Sequence, residues 1–99
     1  MEVRHAFGGG VYAKAMNFGA GEVIAKHKHT FDHLSILAKG TVELRVDGER
    51  RVVTAPKEIL IKAGKQHTIT GLVQGLWYCI HQTDCTDADA VDETLIEGG

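Results

Sequence analysis

Gly21-Glu22-Val23-Ile24-Ala25-Lys26-His27-Lys28-His29-Thr30-Phe31-Asp32-His33-Leu34-Ser35-Ile36-Leu37-Ala38-Lys39-Gly40 is the stretch on which the reading of this chain turns. It holds three of the six histidines within seven residues. On a strand, residues two apart share a face, so His27 and His29 line one side while Lys26 and Lys28 face the other. A bare His-x-His is usually a pair of solvated histidines, but the next residues change that balance. After Thr30-Phe31-Asp32, His33 opens a second strand in which His33, Ser35 and Leu37 share one face and Leu34 and Ile36 the other. A strand returning beside the first brings His33 within a few ångströms of His27 and His29. Three imidazoles on one concave wall make a metal site with neutral nitrogen ligands. The competing reading is three titrating surface histidines, which repel one another on protonation with only Asp32 nearby to offset the charge.

Outward from this stretch, turn signals recur every eight to twelve residues: Gly8-Gly9-Gly10, Gly19-Ala20-Gly21, Lys39-Gly40, Asp47-Gly48, Ala55-Pro56, Ala63-Gly64 and Gln74-Gly75. Such regular spacing implies an all-β sandwich or barrel. Strands are expected at 11–18, 22–29, 33–38, 41–46, 50–54, 58–61, 66–73 and 76–82, with Asp47-Gly48 as a tight hairpin turn. The 99 residues suffice for one domain, with its barrel core at about 11–82 and an acidic tail at 83–99. In the tail, Ala88, Val91 and Leu95 follow helical spacing; a short C-terminal helix capped by Thr86 and a frayed tail are both open readings.

Composition narrows the function classes. The chain is 43% hydrophobic and 24% charged, which suits a soluble globular protein. No apolar run approaches the ~20 residues of a membrane span, and the N-terminus lacks the apolar core of a signal peptide, so a cytoplasmic protein without membrane attachment is expected. Residues 81–99 carry no Lys or Arg and six acids. No basic cluster with interleaved aromatics occurs, which leaves nucleic-acid binding without support. Cys79 and Cys85 are too few for a disulfide framework and read as free thiols.

His67 follows the turn Ala63-Gly64-Lys65-Gln66 and opens a strand. Taken with it, the histidine stretch resembles the cupin family. Gly21, His27, His29, His33 and Gly40 stand at the spacings of the first cupin motif, with His33 where the family usually has glutamate. Lys62-Ala63-Gly64-Lys65-Gln66-His67 resembles the second motif, with Gly71 at its final asparagine position, Lys62 in place of its proline and Pro56 at its leading glycine. The resemblance covers residues from about 19 to 82. It implies a single-domain cupin β-barrel (a double-stranded β-helix or jelly roll) of the four-histidine kind. One divalent transition metal ion (Zn, Ni, Fe, Cu or Mn) would be held by His27, His29, His33 and His67. Four neutral imidazoles leave the ion its full charge, and in an octahedral ion leave two positions for water, oxygen or a chelating substrate.

If 66–73 and 76–82 form a hairpin centred on Gln74, His67 lies opposite His81, Ile69 opposite Cys79, and Gly71 opposite Trp77. Directly opposed residues share a face, which makes His81 a candidate acid–base residue; a histidine at the barrel mouth without a role is the even alternative. Cys79, Trp77 and Phe31 read as packing residues. Leu34, Ile36, Leu44, Val46, Ile59, Ile61 and Ile69 are core candidates, split between the interior and an outer face. That outer face suggests a homodimer, with the N-terminal strand as a candidate contact. Two functions follow from the resemblance and the open coordination positions: a metal-dependent, dioxygenase-type oxidoreductase acting on a small chelating molecule, or a non-catalytic metal- or small-ligand-binding module such as a sensor or accessory protein. A purely structural ion ranks below both, because closed zinc sites usually include cysteine. His33→Ala is expected to lower metal affinity far more than His5→Ala in a competition titration with a chromophoric chelator.

Overall fold

The computed structural model describes residues 1–27 and 32–82, with positions 27 and 33 described by their backbone alone. Its seven strands are β1 (Glu2–Gly8), β2 (Val11–Phe18), β3 (Val23–His27), β4 (His33–Val46), β5 (Glu49–Thr54), β6 (Lys57–Ile61) and β7 (His67–Gln82). The fold is all-β: a single-domain jelly-roll barrel whose sheet does not close on itself. The expected C-terminal helix and Cys85 lie outside the described residues. No helix among the described residues is long and apolar enough to cross a membrane.

The two longest strands carry the architecture. β4 and β7 pair antiparallel along nearly their whole lengths, from Leu34↔Ile80 to Val46↔His67, with register shifts between Leu37 and Val42. Their outer halves recruit different neighbours. The first half of β4 and the second half of β7 lie within the order β1-β2-β7-β4-β6. The other halves lie within β3-β7-β4-β5. Two sheets therefore share one bent pair of strands.

The hairpin expected at Gln74 is corrected, because β7 runs straight through that position. Gly75 is there for close approach and not for a turn. A Cβ on it would overlap the Lys39 carbonyl oxygen of β4. Gly40 meets it from the other side: its φ is +87°, and a Cβ there would lie 2.6 Å from the carbonyl oxygens of Val73 and Gln74. The separate strands expected at 33–38 and 41–46 are likewise one strand with a bulge, a local irregularity that bends and twists a ladder. The register changes accordingly. His67 faces Val46 and His27, Cys79 faces Ser35 and Lys14, and Trp77 faces Leu37 and Met16.

Alternation survives the bend, so odd positions of β7 are buried on both halves. Trp77, Leu37, Val42, Ile69 and Ile59 fill the core with Met16, Phe18 and Leu44. Of the expected core residues, split between the interior and an outer face, Leu34 lies on the outer face and is exposed. Asp47-Gly48 makes the tight turn, with both residues at positive φ, as a two-residue hairpin requires. β1, which precedes the glycine turn at 8–10, extends the barrel beyond the expected limit at residue 11. Before β3, the Gly19 N–H donates to Glu22 Oε1 at 2.7 Å, and this bond holds the Glu22 carboxyl below its ordinary range.

Gly75→Ala should destabilise the protein by about 3 kcal/mol or more, since overpacking against backbone has no soft neighbour to displace. Gly8→Ala, with nothing near the added methyl, should be close to neutral. Urea denaturation of the two variants tests the difference.

Candidate metal centre

The bend at Gly40 and Gly75 lies at one end of the barrel, and the strand ends that carry the histidines lie at the other. β3 ends at His27, β7 begins at His67, and the two positions are direct register partners. β4 begins at His33, whose partner on β6 is Ile61. A cavity of about 170 Å³ opens at this end, lined by Val46, Leu60, Ile61, Lys62, Lys65 and His67. Its wall thus contains the register partners of both His27 and His33, drawn from the two different sheets. Position 29 lies outside the described residues. Among the described residues no group of three or more metal-ligating side chains is gathered, and His67 is the one candidate ligand whose side chain is described.

His67 is the candidate ligand whose surroundings can be described. Its side chain is only 2% exposed, and its Nδ1 lies 3.3 Å from the Lys65 carbonyl oxygen. A carbonyl only accepts, so Nδ1 carries the proton in this contact, and in the neutral ring Nε2 is the acceptor nitrogen. Metal-bound histidines have this same arrangement, in which the second nitrogen is oriented by a backbone or carboxylate acceptor. The donor chemistry of the residue therefore fits a transition metal ion.

Two aspartates hold the turn that delivers His67. The Ala63 N–H donates to Asp32 Oδ1 at 2.8 Å, tying the turn to the residue just before His33. The Gln66 N–H donates to Asp47 Oδ1 at 3.1 Å, and the Asp47 N–H donates back to the Gln66 carbonyl at 2.9 Å. Lys65 Nζ lies 3.9 Å from Asp47 Oδ2, an exposed contact of little energetic weight. Asp47 was legible in the sequence only as a turn residue, and the cavity-lining role of Lys62 and Lys65 was not legible, because both depend on which strand ends meet.

His81 stands near the end of β7, on the same end of the barrel as the start of β4. It follows Ile80, the partner of Leu34, and so stands one register step beyond that pair, at the ladder position that the antiparallel register sets against His33. It is buried, at 4% exposure. Its neighbour is Tyr12, its register partner on β2, with ring centroids 6.0 Å apart and planes 14° from parallel. The Tyr12 hydroxyl lies 2.7 Å from His5 Nδ1 on β1. The inward placement of His81 thus comes from pairing with β2 and β4, not from the hairpin with His67. Cys79 is buried, within hydrogen-bonding range of the Ser35 hydroxyl, consistent with a packing role.

No family model matches the sequence, and no curated protein matches it. Solved structures do match the fold. A cupin superfamily protein from Desulfitobacterium hafniense superposes with a TM-score of 0.70 at 20% identity, over 84% of this chain and 79% of that one. A cupin 2 conserved barrel domain protein from Salinispora arenicola gives 0.71 at 20% identity, over 93% and 80%. A cupin-2 domain containing protein from Shewanella frigidimarina gives 0.68 at 17% identity, over 82% and 79%. At this level of identity the likeness establishes a shared barrel and carries no activity across.

Asp32→Ala should weaken metal binding roughly 10-fold, as loss of a group supporting a ligand does, while Asp32→Asn, which keeps the acceptor oxygen, should retain most of it. His67→Ala should cost more than either. Isothermal titration with Zn or Ni would rank the three.

Proposed function

Given a cupin-type barrel, we propose that this chain binds one divalent transition metal ion through His27, His29, His33 and His67 and acts as a dioxygenase-type oxidoreductase on a small, anionic chelating molecule. The observation that carries the reading is His67: buried at the barrel mouth, its Nδ1–H engaged by the Lys65 carbonyl, and bordering a cavity that Lys62 and Lys65 share. The bound ion supplies Lewis acidity and, where the metal is redox-active, a site for electron transfer.

The chain's own residues divide the remaining work. Lys62 and Lys65 attract a carboxylate or enolate toward the mouth. Val46, Leu60 and Ile61 form its apolar wall and limit water. His81, buried beside Tyr12, holds or moves a proton in this reading. These roles suit a chelating enol, catechol or keto acid.

A second reading is a metal- or small-ligand-binding module without turnover, such as a sensor or accessory protein. The cavity of about 170 Å³ is smaller than the roughly 300–1,000 Å³ usual for drug-sized ligands, so a small molecule suits either reading.

The deciding experiment loads the apoprotein separately with Fe, Mn, Ni, Cu and Zn and follows oxygen uptake with enolic and catecholic compounds. Uptake with a redox-active metal is expected. Lys65→Glu should raise KM about 10-fold, equivalent to ~1.4 kcal/mol, with little change in kcat. Stoichiometric metal and tight substrate binding without uptake would favour the binding module, whereas a folded protein that takes up no metal would overturn both.

A further inference from the structure

One register row of the β1-β2-β7-β4-β6 sheet is aromatic. It runs Phe7, Tyr12, His81, and then the β4 position that the ladder sets against His81, which is His33. Directly opposed residues share a face, so the row leads from the strand end that carries a candidate ligand to β1, the outermost strand. Tyr12 is its pivot. The residue has no exposed surface. Its ring lies nearly parallel to those of His81 and His5, with centroids 6.0 and 5.8 Å away, and Phe7 adds a third ring at 5.0 Å. The Tyr12 hydroxyl lies 2.7 Å from His5 Nδ1, and His5 is exposed. A buried phenol thus touches an imidazole that is open to water.

That contact has a specific chemistry. A phenol that loses an electron inside a protein becomes a buried cation unless its proton leaves too, and an unpaired buried charge is costly. A base already within hydrogen-bond distance of the hydroxyl removes that cost, because the proton moves along an existing contact. The other oxidisable rings lack such an arrangement. The Trp77 Nε1–H is buried and has no hydrogen-bond partner among the described residues, so its proton has no acceptor. Tyr78, the second of the two tyrosines, alternates to the face of β7 opposite Trp77 and Cys79, away from the row.

We infer that Tyr12 and His5 form a proton-coupled redox pair, which carries a one-electron oxidising equivalent from the ligand end of the barrel to its surface. The Tyr12 ring gives one electron to a one-electron metal oxidant, which is reduced by one unit. The O–H bond breaks, its electron pair stays on oxygen, and the proton bonds to His5 Nδ1, whose lone pair is available in the tautomer protonated at Nε2. The products are a neutral phenoxyl radical and an imidazolium, so the buried ring never holds a net charge. A small thiol or ascorbate in solution then returns the electron, and His5 returns the proton. The pair is a property of these two side chains; that a metal at His27, His29, His33 and His67 is the oxidant rests on the function proposed above. In that setting the pair drains oxidising equivalents formed without substrate and spares the ligand histidines.

Photo-oxidation of the metal-free full chain by a ruthenium tris-bipyridine complex, with persulfate as terminal electron acceptor, tests the pair without any bound ion. Transient absorption and electron paramagnetic resonance read the radical, and circular dichroism checks the fold. A tyrosyl radical should form in the wild type and in Tyr78→Phe, and be absent from Tyr12→Phe. His5→Ala should slow its formation about 100-fold, the lower end of what a positioned proton acceptor contributes, and added imidazole should restore it. A radical that survives in Tyr12→Phe, its absence from Tyr78→Phe, or a rate indifferent to His5→Ala overturns the inference. In a second arm, the iron-loaded protein treated with hydrogen peroxide should show the same radical. Its absence there, with the photochemical result intact, sustains the pair and counts against the proposed metal site as its oxidant.

Discussion

The pairing of β4 with β7 is the constraint from which the rest of the structure follows. Each strand is too long for one flat sheet of a small domain, and each belongs to two sheets. The pair can bend only where backbones approach more closely than a side chain permits. Gly40 and Gly75 supply that approach on opposite strands, at facing positions. Folding there carries the Val46–His67 end of the ladder over toward the Leu34–Ile80 end. The open mouth, and everything chemical in it, is a consequence of that bend.

The mouth is held by polar contacts more than by packing. The turn at 62–66 has no apolar side chain large enough to anchor it, and its amides are instead taken by Asp32 and Asp47. Each aspartate belongs to a different connection, one leading into β4 and one leaving it. The His67 ring is therefore located relative to both sheets at once, and its tautomer is set by the same turn through Lys65. A coordinating imidazole needs such fixing, because metal affinity depends on how little the ligand must reorganise.

The two faces of the β1-β2-β7-β4-β6 sheet serve different ends. Its inner residues, Tyr12, Trp77, Leu37 and Ile59, complete the core, while its outer rows are apolar without any covering element among the described residues.

Much was determined by the sequence alone. Turn spacing and alternation specify an all-β barrel, Asp47-Gly48 specifies a tight hairpin, and the spacing of His27, His29 and His33 offers candidate ligands, because these depend on local conformation and a period of two; His67 joins them only through the family resemblance. What only the tertiary structure decided is which residues face one another. Gly75 and Gly40 look like turn glycines in sequence, since a glycine admitting a neighbouring backbone and a glycine reversing the chain are the same residue. That ambiguity produced a hairpin at Gln74 that does not exist, and with it the wrong partner for His67. Long-range pairing set the true one: His67 stands against His27 and Val46, at a cavity with Ile61 and two lysines, and His81 reaches the mouth through β2 and β4. Such contacts join residues far apart in the chain, and no local pattern encodes them.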